Sequence, residues 1–575
     1  MIIKHYKNRN YIISTSLKGG NYALLKELPG HTKWIDRDLM FRPTGANIKY
    51  IMEHWPEAEW QGDALGIKDE LLAAELAAEE MRSIKHIEQS DDGSYQYARE
   101  PMDHQRQAFL LSRDLPAFGL FMEQGTGKTK VTIDKACWLF QKKEIDCLVV
   151  IAWPNGVHRN WTENEIPEDV PDWCNYKSAW WNPNLTQARV KEYEAVLATG
   201  DDTLKIFTFN VEAFASQKAK DWILRILTEN RCMLVIDQSA SIKNPTAKRT
   251  KFIIRKCAPL APHRMILDGA PVAESAVELY SQFLFLDPFI IGHDTLTAFK
   301  AEFCKIGYFK DVVGYKNLPE LHKRIDGYCY RVLEKDCLDL PQRRYKRWTF
   351  ELTKEERRIY NEMNSKKLAY FNENERENPL EADLAIVKSL RLQQISAGWW
   401  PQIGDFKPIG ETSSRLAALT TLLSQLDGKV LIFSRFRADL EAMQNHLGDA
   451  AVSYHGGINS DDRELAKKKF MTDDSTQYFI GQPRNAGIGH TLTAAKHVVF
   501  YNNDPSLRFR EESEKRAHRK GLEDTIEEGG HLMIWDLVAG DTQDNNIINA
   551  LRAKKDLATL VLQDPESLFL IEDHD

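Results

Sequence analysis

A short glycine-containing stretch constrains the fold of this chain more than any other feature, and it reads Met122-Glu123-Gln124-Gly125-Thr126-Gly127-Lys128-Thr129. An apolar run typical of a buried strand, Ala117 to Phe121, precedes it. The segment after it carries apolar residues at helical spacing, namely Ile133, Ala136, Cys137 and Phe140. Glycines let backbone N–H groups converge on phosphate oxygens, and the positive end of a helix dipole strengthens that binding. The order of strand, glycine loop, Lys-Thr and helix therefore predicts a phosphate-binding site.

In such a site Lys128 would bind the terminal phosphates and Thr129 would hold Mg²⁺. The strict pattern G-x-x-x-x-G-K-[ST] is not met, because Met122 stands at the first glycine position, and a chance surface turn is the alternative. A second stretch argues against that alternative: the apolar run 233–236 ends in Asp237. A buried parallel strand that ends in a carboxylate can deliver it to Mg²⁺. Together the two stretches predict a nucleoside triphosphate site.

Length and composition bound the class of protein. The chain has 575 residues, of which 43% are hydrophobic, enough for three to four domains. The sequence has no apolar run long enough for a membrane span, no signal peptide at its start, and no C-x-x-C pair among its eight cysteines. We therefore expect a cytoplasmic protein that is not secreted and has no membrane partner. The net charge of −8 does not by itself indicate nucleic acid, but phosphate contacts need only a local basic face.

Strands and helices alternate from Arg99 onward, which is typical of parallel α/β layers. The predicted strands of the first layer are Phe118–Phe121, Cys147–Ala152, Ile206–Phe209, Met233–Ile236 and Met265–Leu267. Those of the second are Val430–Phe433, Tyr478–Ile480, Val498–Tyr501 and Leu532–Trp535. The predicted domains are an α+β module over 1–62, an acidic helical linker over 63–100 with a helix at 69–86 and a turn at 90–94, a first lobe over 101–272, a helical insertion over 273–345, a helical region over 346–427, and a second lobe with a C-terminal brace over 428–575.

The N-terminal module mixes aromatic and basic residues, which are Trp34, Phe41, Trp55 and Trp60 with Lys33, Arg37, Arg42 and Lys49. Predicted strands cover 11–14 and 39–41, and a predicted helix covers 45–55 with Ile48, Ile51 and Met52 inward. Basic and aromatic residues so interleaved are used in nucleic-acid platforms. The alternative is that the tryptophans form the core and the cations its solvated face. Both interpretations remain open on the sequence.

A series of short motifs over residues 101–560 resembles the superfamily 2 helicase core, specifically the SWI/SNF-type double-stranded DNA translocases. The matching segments are His104-Gln105 with Gln107-Ala108; Pro154, Asn160 and Trp161; the DEAH-box-like run Asp237 to Asn244; Leu267 to Pro271; Lys429 to Ser434; Tyr454 to Gly457; Ala486 to Ala495; Arg516 to Gly521; and Asp541, Thr542, Asp544 and Lys554. An unrelated ATPase of similar layering is the alternative. In its compactness, the chain also resembles phage-encoded versions of the family.

The resemblance implies a fold of two RecA-like parallel-sheet lobes with helical insertions, and a DNA-dependent ATPase that uses ATP and Mg²⁺. It implies that Gln105 reads adenine, that Gly125, Thr126, Gly127, Lys128 and Thr129 hold the phosphates, and that Thr129 and Asp237 hold the metal. Arg516 and Arg519, expected on one helix face at i, i+3 spacing, would act as arginine fingers. The implied DNA contacts are Trp161, Asn210, Lys243, Arg435, His455 and Thr491, for each of which ordinary loop packing is the alternative.

Three positions depart from the family pattern, apart from Met122. Asp268 replaces a hydroxyl residue, Glu512 stands where Gln is common, and Gln238 stands where the family has the Glu that activates water. An amide can hydrogen-bond water but cannot accept its proton at neutral pH. The resemblance therefore implies a chain that binds ATP and DNA while hydrolysing ATP slowly. Natural drift and a deliberate Glu-to-Gln substitution both account for Gln238, and we favour the second.

The leading functional hypothesis is an ATP-dependent duplex DNA translocase that anneals strands, migrates branches or remodels forks. Parts of residues 28–60 resemble the HARP-type domain of annealing helicases, which favours that role. The alternatives are a remodeller that displaces proteins from DNA and a non-hydrolysing, ATP-gated DNA clamp.

Overall fold

The computed structural model describes residues 2–6, 10–14, 33–35, 38–41, 45–62, 64–65, 68–69, 72–73, 76, 80, 91–153, 157–184, 186–272, 275–293, 295–308, 311–338, 340–373, 380–400, 407–458, 460–486, 492–519, 521–527 and 530–562. The chain falls into two compact units: the first comprises Met1–Cys337 and Leu557–Asp575, and the second comprises Leu338–Asp556. Among the described helices, none combines the length and the apolar character that a membrane crossing requires.

The N-terminal module contains a five-stranded sheet with one helix, Gly45–His54. Its strands are β1 (Ile2–Tyr6), β2 (Asn10–Ser14), β3 (Lys33–Ile35), β4 (Asp38–Phe41) and β5 (Glu59–Gln61), in the order β3-β4-β2-β1-β5. The predicted strands and helix are confirmed. Ile48 and Ile51 are buried as predicted, and Trp55 is buried with them, which favours the core interpretation for that ring. The side chains of Trp34 and Phe41 lie outside the described residues.

Residues 91–100 pack against the first lobe. Asp91 and Asp92 accept hydrogen bonds from the backbone N–H groups of Gly93 and Ser94, so the predicted turn is confirmed over its described part. Tyr95 is buried against Phe109. Most of the predicted helix at 69–86 lies outside the described residues.

The first lobe is built on a seven-stranded sheet in the order β14-β6-β11-β10-β7-β9-β8, with every described pairing parallel. Its strands are β6 (Ala117–Met122), β7 (Cys147–Ala152), β8 (Tyr176–Trp180), β9 (Leu204–Asn210), β10 (Cys232–Asp237) and β11 (His263–Leu267), and, beyond a separate hairpin of β12 (Cys304–Ile306) and β13 (Val312–Tyr315), β14 (Cys329–Val332). The apolar strands β6 and β7 are buried along their whole length, as central parallel strands are.

Helices flank this sheet on both sides. Their bounds are Asp103–Ser112, Lys128–Gln141, Val157–Asn160, Ile166–Asp169, Gln187–Leu197, Gln217–Glu229, Lys248–Phe252, Glu278–Leu286, Pro288–Ile291, Leu296–Phe303, Leu318–Asp326 and Glu334–Cys337, with π-helical turns at Trp161–Glu165 and Ile253–Cys257 and 3₁₀ turns at Val211–Ala215, Ser239–Ile242 and Ala258–Leu260.

The second unit is built on a six-stranded parallel sheet in the order β15-β20-β19-β16-β18-β17. Its strands are β15 (Gln342–Phe350), β16 (Lys429–Phe433), β17 (Ala451–Tyr454), β18 (Tyr478–Gly481), β19 (Ala495–Phe500) and β20 (His531–Ala539). The helices that follow β15 in the chain are Lys354–Glu373, Leu380–Ser396, Ser414–Leu423, Arg437–Leu447, Ser460–Thr472, Pro483–Ala486, Leu507–Ala517 and Gln543–Leu562.

The segment 273–345 differs from its prediction as a purely helical insertion. It also contains β12, β13, β14 and the start of β15, and β14 extends the first-lobe sheet by pairing with β6. These four strands are short or rich in charged residues. None of them shows the alternation of apolar and polar residues, or the apolar run, by which a strand is recognised in a sequence. The chain leaves the first sheet at β14 and enters the second at β15, with the unit division between them.

Candidate nucleotide site

The loop between β6 and helix Lys128–Gln141 has the backbone that a phosphate cradle requires. Gly125 and Gly127 have φ angles of +87° and +90°, in the left-handed region that favours glycine. A Cβ atom on Gly127 would lie 2.1 Å from the Gln105 side-chain nitrogen, whereas the space beside Gly125 is open. The Gln105 side chain therefore packs directly against the loop at Gly127, whereas no atom of the described residues occupies the space beside Gly125.

Two side chains hold the loop in shape. The Thr126 hydroxyl donates to the Glu123 carbonyl at 2.7 Å. The Lys128 ammonium donates to the carbonyls of Met122 and Glu123 at 2.8 and 3.0 Å, so it lies across the loop. A phosphate group is the stronger partner for that ammonium, because donor and acceptor then both carry charge.

Gln105 supports the loop from behind. Its amide donates to the Thr126 carbonyl at 3.1 Å and its carbonyl oxygen accepts from the Met102 N–H at 3.1 Å. The ring of His104 also hydrogen-bonds the Thr126 carbonyl, at 2.8 Å. The side chain implied to read adenine is thus buried and shapes the phosphate loop.

Asp237 ends β10 at the carboxyl edge of the sheet, as the sequence predicts. The Trp161 indole, 1% exposed, donates to its carboxylate at 2.9 Å. Burial raises the pKa of Asp237, while the Trp161 hydrogen bond and the nearby positive charge of Lys128 oppose that rise. Lys128 and Asp237 therefore lie close enough to interact electrostatically. The half-buried Thr129 is the second residue of the helix that begins at Lys128. The Thr129 hydroxyl and the Asp237 carboxylate are oxygen ligands of the kind that suits Mg²⁺.

A π-helical turn, Trp161–Glu165, positions the indole. Such turns are rare and frequently occur at functional sites. Trp161 was an implied DNA contact, but the structure places it in the core beneath Asp237. The sequence motif locates the residue correctly and says nothing about the direction of its side chain.

Gln238 has an unusual backbone, with φ +57° and ψ +71°. The left-handed region is uncommon for a residue with a Cβ and marks a position that the surrounding structure must hold in place. Its carbonyl accepts from the Ser241 N–H at 2.9 Å, which starts the 3₁₀ turn Ser239–Ile242. The turn fixes residue 238 next to Asp237.

Asp268 provides much of that support. One of its oxygens accepts from the Ala240 N–H at 2.8 Å and the other from the Ala270 N–H at 2.9 Å. The carboxylate is buried and lies near enough to Asp237 to raise the pKa of that residue. Asp268 thus joins the end of β11 to the turn that carries Gln238.

Gly269 joins the same region to the phosphate loop. A Cβ atom at this position would lie 3.3 Å from the Gln124 nitrogen and 3.5 Å from the Met122 carbonyl oxygen. The absence of a side chain allows the backbone after β11 to approach the loop closely. Two segments that are far apart in sequence therefore meet at the site.

The other implied DNA contacts of the first lobe are engaged within the protein. The Asn210 side chain accepts from the Ala213 N–H at 2.7 Å and caps a 3₁₀ turn. The Lys243 ammonium is 2.7 Å from the Glu278 carboxylate, while its side chain stays 40% exposed. Lys243 therefore remains able to reach solvent, whereas Asn210 has a local structural role.

In the second unit, Arg435 donates to the Gln393 side chain at 2.6 Å, and burial lowers its pKa. His455 is buried and accepts from the Gly457 N–H at 3.1 Å. Burial also lowers the pKa of His455, which favours the neutral ring. Thr491 lies outside the described residues.

The two arginine-finger candidates differ in setting. Arg516 lies on helix Leu507–Ala517 and is fully buried, and burial together with neighbouring Arg519 lowers its pKa well below the ordinary value. Arg519 lies beyond the helix end, where its guanidinium donates to the Lys515 carbonyl at 2.9 Å. The expectation that both lie on one helix face is wrong, because the backbone leaves the helical conformation at His518.

The closing segment of the motif series is organised around a buried ion pair. Asp544 pairs with Arg415 and accepts from the Ala539 N–H at 3.0 Å. Arg415 also donates to the carbonyls of Ser396 and Leu537, at 3.0 Å in each case. The sequence does not reveal Arg415, because a lone arginine in an apolar helix carries no motif.

Comparison with known proteins places these features in a family. Residues 108–397 match the SNF2-related domain and residues 414–521 match the helicase conserved C-terminal domain. Chromodomain-helicase-DNA-binding protein 6 of Homo sapiens is 20% identical over 567 residues, which cover 91% of this chain and 20% of that protein. DNA annealing helicase and endonuclease ZRANB3 of Bos taurus is 26% identical over 416 residues, which cover 69% of this chain and 35% of that protein.

Among solved structures, the Sulfolobus solfataricus SWI2/SNF2 ATPase core in complex with dsDNA has a TM-score of 0.37 and 20% identity, and the match covers 83% of this chain and 96% of that one. The chain spans only 20% and 35% of the lengths of the two curated relatives named above. The SNF2-related match alone covers just over half of the chain. The chain therefore belongs to the SNF2-related family, with a helicase C-terminal domain after the SNF2-related one.

Proposed function

We propose that this chain is an ATP-dependent translocase of duplex DNA. The observation that carries the proposal is that the glycine loop with Lys128, after β6, and the Asp237 carboxylate, at the end of β10, lie at the same carboxyl edge of the first sheet. A cation and a carboxylate so placed are what a nucleoside triphosphate and its Mg²⁺ need. Family membership supports DNA as the stimulating partner.

The roles of the residues follow from their chemistry. Lys128 and the loop N–H groups would neutralise phosphate charge, and Thr129 with Asp237 would hold Mg²⁺, which supplies charge neutralisation at the transferring phosphoryl group. Arg516 and Arg519 keep the proposed role of stabilising that same charge. Gln238 can orient a water molecule but cannot take its proton.

We therefore propose that hydrolysis by this chain is slow. Loss of a positioned general base costs about 10²–10⁴-fold in rate. ATP binding does not depend on that proton transfer, so it survives. A chain that closes on ATP without turnover would act as an ATP-gated clamp, and the amide at position 238 is the observation that favours this second candidate.

Strand annealing, branch migration or fork remodelling is the proposed use of the motor. The relative named as an annealing helicase supports it, and so does the small α+β module at residues 1–62, which we propose binds DNA and supplies preference for forks. Displacement of proteins from DNA is the alternative.

The test is the ATPase rate of the Gln238→Glu chain against duplex, forked, junction and single-stranded DNA. We expect duplex-containing DNA to stimulate turnover strongly and forks or junctions to stimulate it most. Deletion of residues 1–62 should keep basal turnover and remove the preference for forks. Stimulation by single strands alone, or by none of the four, would contradict the proposal.

A further inference from the structure

The terminal strand of the second sheet, β15, carries an unusual concentration of positive charge. Its sequence is Gln-Arg-Arg-Tyr-Lys-Arg-Trp-Thr-Phe, without an acidic residue, in a chain whose net charge is −8. The strand pairs along its whole length with β20, from Gln342 opposite His531 to Phe350 opposite Ala539. As the terminal strand, β15 presents its other edge away from the described sheet.

Three of the four cations on β15 are exposed. Arg344, Lys346 and Arg347 are exposed, and no carboxylate among the described residues lies within ion-pairing distance of them. Elsewhere exposed arginines do pair, as Arg159 does with Glu163, Arg225 with Glu194, Arg358 with Glu355, and Arg437 with Glu441. The charge on β15 is therefore left available to an external anion.

Tyr345 lies on the face of β15 opposite to Arg344 and Lys346, because successive side chains of a strand point to opposite faces. Tyr345 is 48% exposed, and its hydroxyl donates to Glu514 at 2.8 Å, which fixes the ring. The Lys555 ammonium lies 6.0 Å from the ring centroid and adds a further positive charge. The Lys346 ammonium lies 5.4 Å from the centre of the Trp535 ring, so its stem is also held.

We propose that the outer edge of β15, with Arg344 and Lys346 on one face of the strand and Tyr345 and Arg347 on the other, binds the phosphate backbone of duplex DNA. We call this surface the β15 basic edge. A strand rises about 3.3 Å per residue, so residues 343–347 span about 13 Å. Duplex DNA carries one phosphate per about 3.4 Å of axis on each strand, so the edge matches the length of about four phosphates. It reads no bases, as suits a motor that must ignore sequence.

The inference rests on the proposed function, since it names a surface through which the proposed translocase holds DNA. It adds a contact that lies outside every motif of the family resemblance. Charged residues on an edge strand also prevent edge-to-edge pairing of sheets. That protective role predicts no effect on DNA affinity, so binding measurements distinguish it from the inference.

The experiment compares four full-length chains for binding to a short labelled duplex as salt is raised. The first is the parent chain, and the second is the triple variant Arg344→Gln, Lys346→Gln, Arg347→Gln. The third keeps the charges through Arg344→Lys, Lys346→Arg, Arg347→Lys. The fourth, a matched control, neutralises three exposed cations elsewhere in the same unit through Lys407→Gln, Lys468→Gln and Lys469→Gln.

Each phosphate contact contributes about 0.9 to the slope of log affinity against log salt. Loss of three contacts lowers the slope by about 2.7, so from roughly 50 to 200 mM salt the parent should lose about 40-fold more affinity than the neutralised triple variant. The charge-keeping variant and the matched control should keep the parent slope. A triple variant that keeps the parent slope of log affinity against log salt, even if it aggregates more readily than the parent, would overturn the inference and leave the proposed function standing. Absence of duplex binding by all four chains would overturn both.

Discussion

The Trp161 indole donates a hydrogen bond to the Asp237 carboxylate at 2.9 Å from within the core of the first lobe. A carboxylate that must hold Mg²⁺ has to be ionised, and burial opposes ionisation. The indole is one of three groups, with Lys128 and the Gln238 backbone, that favour the charged form of Asp237. We therefore propose that the buried tryptophan is a positioning residue for the Mg²⁺ site.

Trp161→Phe should weaken Mg²⁺-dependent nucleotide binding. A hydrogen bond to a charged group contributes about 1.5–3 kcal/mol, which corresponds to roughly a 10- to 100-fold loss of affinity. The pKa of Asp237 should rise further, so affinity should begin to fall at a higher pH on acidification than in the parent. Titration of a fluorescent ATP analogue with Mg²⁺ at several pH values measures both effects. Trp180→Phe, which removes a half-buried indole of the same lobe, should change neither.

Asp268→Ala should destabilise the turn that carries residue 238. The N–H groups of Ala240 and Ala270 would lose their acceptor inside the protein, at a cost of about 1–3 kcal/mol for an unsatisfied buried group. Denaturant unfolding measures the loss. In the Gln238→Glu background the same change should lower the maximal ATPase rate more than it lowers ATP affinity, and an equal loss in both would contradict a positioning role.

Gly127→Ala and Gly125→Ala should differ sharply. Both glycines have positive φ, but only at residue 127 does an added Cβ meet an atom, the Gln105 nitrogen at 2.1 Å. Gly127→Ala should weaken nucleotide binding more than Gly125→Ala, because it displaces the Gln105 amide from the loop, whereas Gly125→Ala should cost only about 1 kcal/mol from backbone strain. Adding Gln105→Ala to Gly127→Ala removes the clash and should restore part of the affinity. Equal affinities for the two single variants would show that the loop rearranges.

Lys135 gives the first lobe a distinctive pH dependence. It is fully buried, and burial lowers its pKa from 10.5 to about 7. Between pH 7 and 10.5 the unfolded chain therefore binds more protons than the folded chain, so this residue makes the folded state gain stability as pH rises through that window. Relative to Lys135→Met, the parent should gain up to about 1.4 kcal/mol of unfolding free energy per pH unit. Urea unfolding of both chains at neutral and alkaline pH measures the difference, and parallel pH profiles would contradict the assignment.

The parts of this molecule that follow from sequence are those with a strong local pattern. Apolar runs gave the central strands β6, β7, β10, β11 and β16, and the strand-loop-helix order located the phosphate loop. The edge strands escaped prediction, since β8 and β15 carry polar and charged residues along strands that are buried on one side at most. Arg519 was misplaced because helical spacing was extended past the point where the backbone turns.

At the site, the sequence predicted the positions of residues along the chain better than the directions of their side chains. Motif position predicted Trp161 and Asn210 as surface contacts, yet one supports Asp237 and the other caps a turn. Asp268 was noted only as a departure from the family pattern, and its two backbone partners become visible only when β10 and β11 are adjacent. Long-range pairing of this kind leaves no periodic signal in a single sequence.

We propose that this chain holds ATP at the glycine loop and that residue 238 limits its hydrolysis. Single-turnover ATP hydrolysis at saturating duplex DNA, compared between the parent and Gln238→Glu, tests it most directly. We predict similar ATP affinities and a rate about 10²–10⁴-fold higher for Gln238→Glu. A parent rate within a few-fold of the Gln238→Glu rate would contradict the claim and show that another group accepts the proton.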